Sequence, residues 1–484
     1  MCCGYICPMF NAGALTGMND FRIEKDYLGE VKVPRNAYWG AQTQRAIENF
    51  PVSGIVFGPV FIRSLGVIKH ACASVNNELH LLESRIADAV LHSCDEVIHA
   101  RFDDQFPVDI FQSGSGTSTN MNANEVIATR ANEILTGSKK SSSPVHPNDH
   151  VNMGQSSNDV IPTAIHVTAR LLILEMLLPA LDLLHKSIKA KQERYSGAVK
   201  TGRTHLMDAM PITLEQEMSG WAAQVVYSRA RIESTLPRLS ELAIGGTAVG
   251  TGINAPPDFG ARVAKKISEL TRTDFIEAAN HFEAQSAQDG VVELSGQLKT
   301  YATVLLKIAN DLRWMNSGPV AGLAEIRLPS LQPGSSMMPG KVNPVIPEAA
   351  RMVAAQVIGN DSVIALSNSM GEFQLNVMRP VIAHNIVQSV TILANVTRLL
   401  AEKAINGIEV NEDRINELVR LNPIIAAVLT PIIGYDKTAE VVRRSMDERK
   451  SIEQIVVDLG YLTADEAKRV LDPGKMTSPG NLVS

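Results

Sequence analysis

Apolar and polar positions alternate with a helical period over most of the chain. Val291, Leu294, Leu298, Tyr301, Leu305, Ile308, Leu312 and Met315 follow one another in steps of three and four without a break. Such a seam belongs to a long helix that packs along its whole length. Ile382, Ile386, Val390, Leu393, Val396, Leu400 and Ala404 form a second run. A third opens at Pro211, a residue suited to a first helical turn, and carries Leu214, Met218, Trp221 and Val225. Further helices are predicted over 162–190, opened by Pro162, and over 345–368. A helix of about 30 residues is about 45 Å long, more than one small globule covers. Helices of that length bundle, commonly across subunits. The pattern therefore predicts an all-α, three-domain fold. A turn-rich region at 21–154 precedes a central long-helix bundle at 155–409, and a small helical region at 410–484 follows. Residues 1–20 contain no Lys or Arg and read as a disordered leader rather than a targeting segment.

Composition narrows the class. With 484 residues, 45% of them hydrophobic, the chain has material for a large core, and disorder is excluded as its main state. Its 5% aromatic content suits Ala/Leu/Val-rich helices better than a β-sandwich. The balance of 45 basic against 51 acidic residues, a net charge of −6, excludes a nucleic-acid coat and polybasic membrane binding. Five cysteines (Cys2, Cys3, Cys7, Cys72 and Cys94) are too few for a disulfide framework in a chain this long. The most apolar stretch, Leu171 to Leu184, is interrupted by Glu175, Pro179 and Asp182, so no membrane span is expected. These features imply a soluble cytoplasmic protein. An anionic ligand would have to be attracted locally, against the field of the whole molecule.

Four segments break the helical pattern with small polar residues. The first is Ser113-Gly-Ser-Gly-Thr-Ser-Thr-Asn-Met-Asn-Ala-Asn124. Capping explains one or two such residues; a run this dense suggests a carboxylate cradle of hydroxyls and helix-start amides. The second runs His146-Pro-Asn-Asp-His-Val-Asn-Met-Gly-Gln-Ser-Ser-Asn-Asp159. His146 and His150 have the spacing of a metal pair on a helix, but Pro147 and the Asn-Asp after it favour a turn, so no metal is expected. Ser156, Ser157 and Asn158 read as caps or as a second cradle. In the third, Thr201-Gly-Arg-Thr-His-Leu-Met-Asp-Ala-Met-Pro211, His205 falls in a loop between two long helices, and taken alone it reads as structural. The fourth is Pro333-Gly-Ser-Ser-Met-Met-Pro-Gly-Lys-Val-Asn-Pro-Val-Ile-Pro-Glu348. It fails as a phosphate loop, because five residues separate its glycines and Val342 stands where Ser or Thr is required. It remains a Gly-flanked mobile loop whose lysine sits beside a helix start, an anion site with the character of a lid.

Gly334-Ser-Ser-Met-Met-Pro-Gly-Lys-Val-Asn343 resembles the Gly-Ser-Ser-x-Met-Pro-x-Lys-x-Asn signature of the fumarase/aspartase superfamily. The other three segments match that family in order, as does Gly245-Gly-Thr-Ala-Val-Gly-Thr-Gly252. The resemblance runs from about Phe21 to Pro479 and is strongest to the class II, iron-free fumarases. Aspartases usually carry Gln at the place of His205 and Thr at the place of Ser157. The Asn-Pro-Val-Ile-Pro-Glu348 wording points the other way, so aspartate ammonia-lyase is the second reading. A catalytically silent structural homologue is the third.

The resemblance implies the reversible hydration of fumarate to (S)-malate in the tricarboxylic acid cycle, with no cofactor. It also implies a homotetramer whose active sites are each shared by three subunits. Ser335 would be the general base, and His205, paired with Glu348, would handle the water. Ser115, Gly116, Thr117, Ser156, Ser157, Asn158, Thr204, Ser336, Lys341, Val342 and Asn343 would bind the dicarboxylate. His146, Pro147, Asn148 and Asp149 match a second, non-catalytic dicarboxylate subsite. That subsite often has an arginine three residues before the histidine, where this chain has Ser143, which implies a weakened site. The chemistry accounts for these residue types. Removing a proton next to a carboxylate builds a doubly charged aci-carboxylate, which needs fixed donors in a dry site.

Overall fold

The computed structural model describes residues 21–480. The leader at 1–20, with Cys2, Cys3 and Cys7, lies outside the described residues. The fold is mostly helical, and extended structure among the described residues is confined to five two-stranded sheets and one isolated bridge. The two long seams lie on helices Asp289–Met315 and Arg379–Lys403. Every seam residue from Val291 to Met315 is at most 3% exposed, as expected where one stripe faces a core. The 345–368 reading coincides with the helix Val345–Asn368.

Two helix starts differ from the sequence reading. Pro211 lies in strand Met207–Thr213, and the helix begins only at Leu214. Pro211 sits in a two-stranded ribbon, where a missing N–H is tolerated at an open edge. Pro162 lies inside helix Ser157–Leu172 rather than at its start. A π-turn, Ile173–Leu177, then separates that helix from Leu178–Arg194.

The chain divides into two compact units. Among the described residues, the first takes those up to Leu177, with Arg231–Lys299 and Gln356–Ile392; the second takes Leu178–Ala230, Thr300–Ala355 and those from Leu393 onward. Within the first, helix Pro59–Glu78 packs against Ser84–Ile98, Thr117–Thr136, Ser157–Leu172 and Phe259–Thr271. It is covered on nearly every side: Phe61, Leu65, Ile68 and Val75 are fully buried, and so is Lys69. Asp361 ties this unit's part of the long helices together, accepting from Ser295 Oγ at 2.8 Å and Lys299 Nζ at 2.5 Å.

Within the second unit, Tyr301 and Thr397 share a buried hydroxyl hydrogen bond of 2.7 Å, and Trp221 Nε1 donates to Asp311 Oδ2 at 2.9 Å. An antiparallel hairpin, Val199–Thr204 with Met207–Thr213, stands on buried ion pairs. Lys200 Nζ meets Glu217 at 2.6 Å, and Arg203 Nη2 meets the fully buried Glu325 at 2.7 Å. Ala426, Leu429, Val441, Ile455, Val456 and Ala467 form a separate hydrophobic cluster among the C-terminal helices. Leu305 lies on the buried seam with no exposed surface. Leu305→Ala is expected to cost about 3 kcal/mol through lost burial and a residual cavity, read as a lowered urea midpoint at unchanged m-value.

Candidate active site

In the first unit the polar residues are gathered by two helix starts. Ser115 (φ 62°) and Gly116 (φ 82°) are both left-handed and turn the chain sharply into helix Thr117–Thr136. Left-handed backbone is natural for Gly and strained for Ser. The turn places Ser115 Oγ 3.2 Å from Thr117 Oγ1, which lies 2.8 Å from Ser157 Oγ. Ser115, Thr117 and Ser157 thus form one hydroxyl row, with Ser115 N donating to Val377 O at 3.0 Å. Three asparagines of the first polar segment brace the fold. Asn122 Nδ2 holds Gln105 O at 2.9 Å, and Asn120 and Asn124 both donate to Asn152 Oδ1, at 3.2 and 3.1 Å.

Ser156 is the N-cap of the next helix, in a reciprocal capping box with Asp159. Its Oγ accepts from Asn158 N at 3.2 Å, and its own N donates to Asp159 Oδ1 at 2.9 Å. The other oxygen of Asp159 accepts from Gly245 N at 3.1 Å and Thr247 N at 2.9 Å. Asn158 Nδ2 adds a bond to Ala248 O at 2.7 Å. The glycine-rich Gly245–Gly252 motif therefore clamps the Ser156–Asn158 segment. Burial raises the Asp159 pKa, against the pull of those amides and of Lys69. Sequence reasoning missed Asp159 as the organiser, although a carboxylate three residues after a Ser cap is the signal that could have found it.

In the second unit the Gly334–Asn343 loop closes on itself. Gly334 N donates to Lys341 O at 2.8 Å, Asn343 Nδ2 to Gly334 O at 2.9 Å, and Lys341 Nζ to Asn343 Oδ1 at 2.6 Å. A Cβ at Gly334 would stand 2.6 Å from Lys341 O, so this closure requires glycine. Ser335 Oγ accepts from Met337 N and Met338 N, both at 3.1 Å. Ser335 and Asn343 are half-buried, whereas Ser336, Lys341 and Val342 are exposed. Glu348 sits half-buried in the first turn of helix Val345–Asn368.

His205 is not in a simple interhelical loop. With Leu206 it forms the two-residue turn of the hairpin, next to the Thr204–Met207 pair. Both are left-handed (φ 57° and 60°), the geometry of a turn that matches strand twist and normally selects Asn and Gly. The His205 ring is consequently held out at the tip, exposed. Among the described residues no hydrogen bond or ion pair joins His205 to Glu348.

The His146–Asp149 group forms a single π-turn, Pro147–Val151, capped by His146. His146 Nδ1 accepts from Asn148 N at 3.3 Å and Asp149 N at 3.2 Å. That nitrogen also lies 3.3 Å from Asp149 Oδ2, yet it cannot accept two amides and carry a proton at once. His146 is the cap of this turn, and Ser143 stands three residues before it. Among the described residues no three His, Cys, Asp or Glu side chains gather to hold a metal ion, and no single helix is long and apolar enough to cross a membrane.

Residues 29–359 match the family model described as lyase, and residues 425–478 match the one described as fumarase C C-terminus. The chain is 52% identical over 466 residues to the class II fumarate hydratase of Xylella fastidiosa, covering 96% of this chain and 97% of that protein. It is 52% identical over 458 residues to the class II fumarate hydratase of Mycobacterium tuberculosis, covering 94% and 95%. Among solved structures it superposes on recombinant class II fumarase from Schistosoma mansoni with a TM-score of 0.91, at 38% identity, over 95% of this chain and 100% of that one.

Leu206 is 64% exposed, so its side chain gives little burial in return for left-handed strain. Leu206→Gly is expected to stabilise the protein by about 1 kcal/mol, read as a raised melting temperature.

Proposed function

The chain belongs to the lyase family of the class II fumarate hydratases, and from that premise we propose how its residues divide the work. The enzyme is a hydro-lyase that interconverts fumarate and (S)-malate, the hydration step of the tricarboxylic acid cycle. Ser335 takes the carbon-bound proton of malate. An alkoxide is costly near neutral pH, and the two amides on Ser335 Oγ are what support this role: they stabilise the anion where it forms. Lys341 and Asn343 then receive the carboxylate that becomes the aci-carboxylate. Lys341 has three donors and spends one on Asn343, which leaves two for substrate. Ser336 and Val342 line the same loop.

The Ser115, Gly116 and Thr117 turn, with Ser156, Ser157 and Asn158, grips the dicarboxylate through neutral donors. These fix its geometry without cancelling the charge that the reaction develops. His205, with Thr204 beside it, protonates the leaving hydroxide, and Glu348 orients it. The proposed reaction is carried by side chains alone.

We place the completed site in a homotetramer, each site built by three subunits, with His205 and Glu348 brought together on assembly. Large apolar side chains left exposed on the long helices support this: Tyr227 at 61%, Trp314 at 52%, Met352 at 72% and Leu366 at 60%. On the same reading, 21–154, 155–409 and 410–484 act as three domains, and the enzyme works in the cytoplasm. A second, weakened dicarboxylate subsite is proposed at His146, Pro147, Asn148 and Asp149.

Purified protein mixed with fumarate should yield malate with or without ammonia. Aspartate formation without hydration would instead favour the aspartase reading, and dicarboxylate binding without turnover the silent homologue. Ser335→Ala should lower kcat by about 10³-fold or more with the fold intact. A rate near that of the unmodified enzyme removes Ser335 from the mechanism.

A further inference from the structure

Directly behind the hydroxyl row the first unit buries two cations, Lys69 and Arg379, each with no exposed surface. Their placement follows from Pro162. In a regular helix the N–H of residue 162 would donate to Asn158 O, four residues back; proline has none. Arg379 Nη1 takes that place, donating to Asn158 O at 2.8 Å. The rest of the guanidinium is under-used, since Nε and Nη2 are buried without partners. Lys69 Nζ holds the other end of the segment, at 3.0 Å from Asn152 Oδ1 and 2.8 Å from Gln155 Oε1.

Asp159 is the carboxylate that both cations feel. Its hydrogen bonds, however, go to the amides of Ser156, Gly245 and Thr247, not to either cation. Burial lowers Lys69 to about 8 and Arg379 to about 9, both still above neutral pH. Cys72 and Cys94, the other ionisable groups near Lys69, are pushed up by burial and remain neutral thiols. Lys69, Arg379 and the Asp159 carboxyl group therefore lie buried beside the Ser156–Asn158 segment, where salt screens poorly.

We infer that Lys69 and Arg379 are positioning residues that fix the Ser156–Asn158 cradle from behind and give it a buried positive field that draws in a dicarboxylate. The inference rests on the reading of Ser115, Thr117 and Ser156–Asn158 as the dicarboxylate grip. It explains how a cradle of neutral hydroxyls competes for a dianion in a protein of net charge −6. The charge sits out of contact with substrate, so it attracts without forming an ion pair that would hold the product.

The test compares succinate, an unreactive dianion, with its monomethyl ester, a monoanion, by calorimetry on the whole enzyme. Lys69→Met and Arg379→Met should each raise the succinate Kd by about tenfold or more but the ester Kd by only about threefold, because the field acts in proportion to ligand charge. Arg379→Lys should restore succinate binding to within about threefold of the unmodified enzyme. Thermal melts confirm that each variant measured is folded, and the two cations give independent chances to test the field. Equal losses for both ligands, or unchanged succinate binding in a folded variant, overturn the inference. An unmodified enzyme that neither binds succinate nor hydrates fumarate defeats the dicarboxylate reading instead.

Discussion

The carboxylate of Asp159, fully buried and shared among three backbone amides, is the interaction on which the first unit's polar face depends. One oxygen completes the cap of its own helix; the other reaches a stretch of chain more than eighty residues away. Leaving the buried Thr247 amide unpaired would cost about 1–3 kcal/mol, a sizeable share of the net stability of an ordinary domain. The Ser156–Asn158 segment and the glycine-rich loop are thus set in place by one group. Their relative position is part of the fold and does not have to be created when a ligand arrives.

The charges are placed differently in the two units. Lys341 is exposed on its loop in the second unit, while in the first unit the hydroxyls of Ser115, Thr117 and Ser157 carry no charge and Lys69 and Arg379 are buried. Exposed and buried charges differ in their sensitivity to salt. Ser335 follows the same economy, because the amides that would hold its anion come from its own loop, two and three residues on. The exposed His205 has no such local support. The two halves of the proposed acid–base apparatus therefore differ in how far one chain prepares them.

How far the sequence revealed this depended on whether a residue's reason was local. The seam from Val291 to Met315 was legible because one buried stripe on a straight helix imposes one period. The hairpin was not, because Pro211 is as suited to an edge strand as to a helix start, and His205-Leu206 lacks the usual turn residues. Pro162 was placed at a helix start for the same reason; the side chain that satisfies Asn158 O comes from more than two hundred residues away. Asn120, Asn122 and Asn124 looked like ligand groups and proved to be internal braces. The proposed site residues rest mainly on resemblance, since spacing alone leaves capping and binding undecided. Lys69 did leave a trace: a lysine between Leu65 and Cys72 on a helix face that is otherwise buried.

The hairpin that carries His205 restricts how relatives of this chain can diverge. Its register shifts by one residue between Thr201 and Arg203, and a Cβ on Gly202 would stand 2.5 Å from Met210 O. The turn beyond has only two residues, with no slack to absorb a change in length. Adding or losing one residue in either strand would exchange the faces of every side chain up to the tip, turning His205 and the anchoring Arg203 the wrong way. Length is therefore as tightly fixed in this stretch as the glycine at 202.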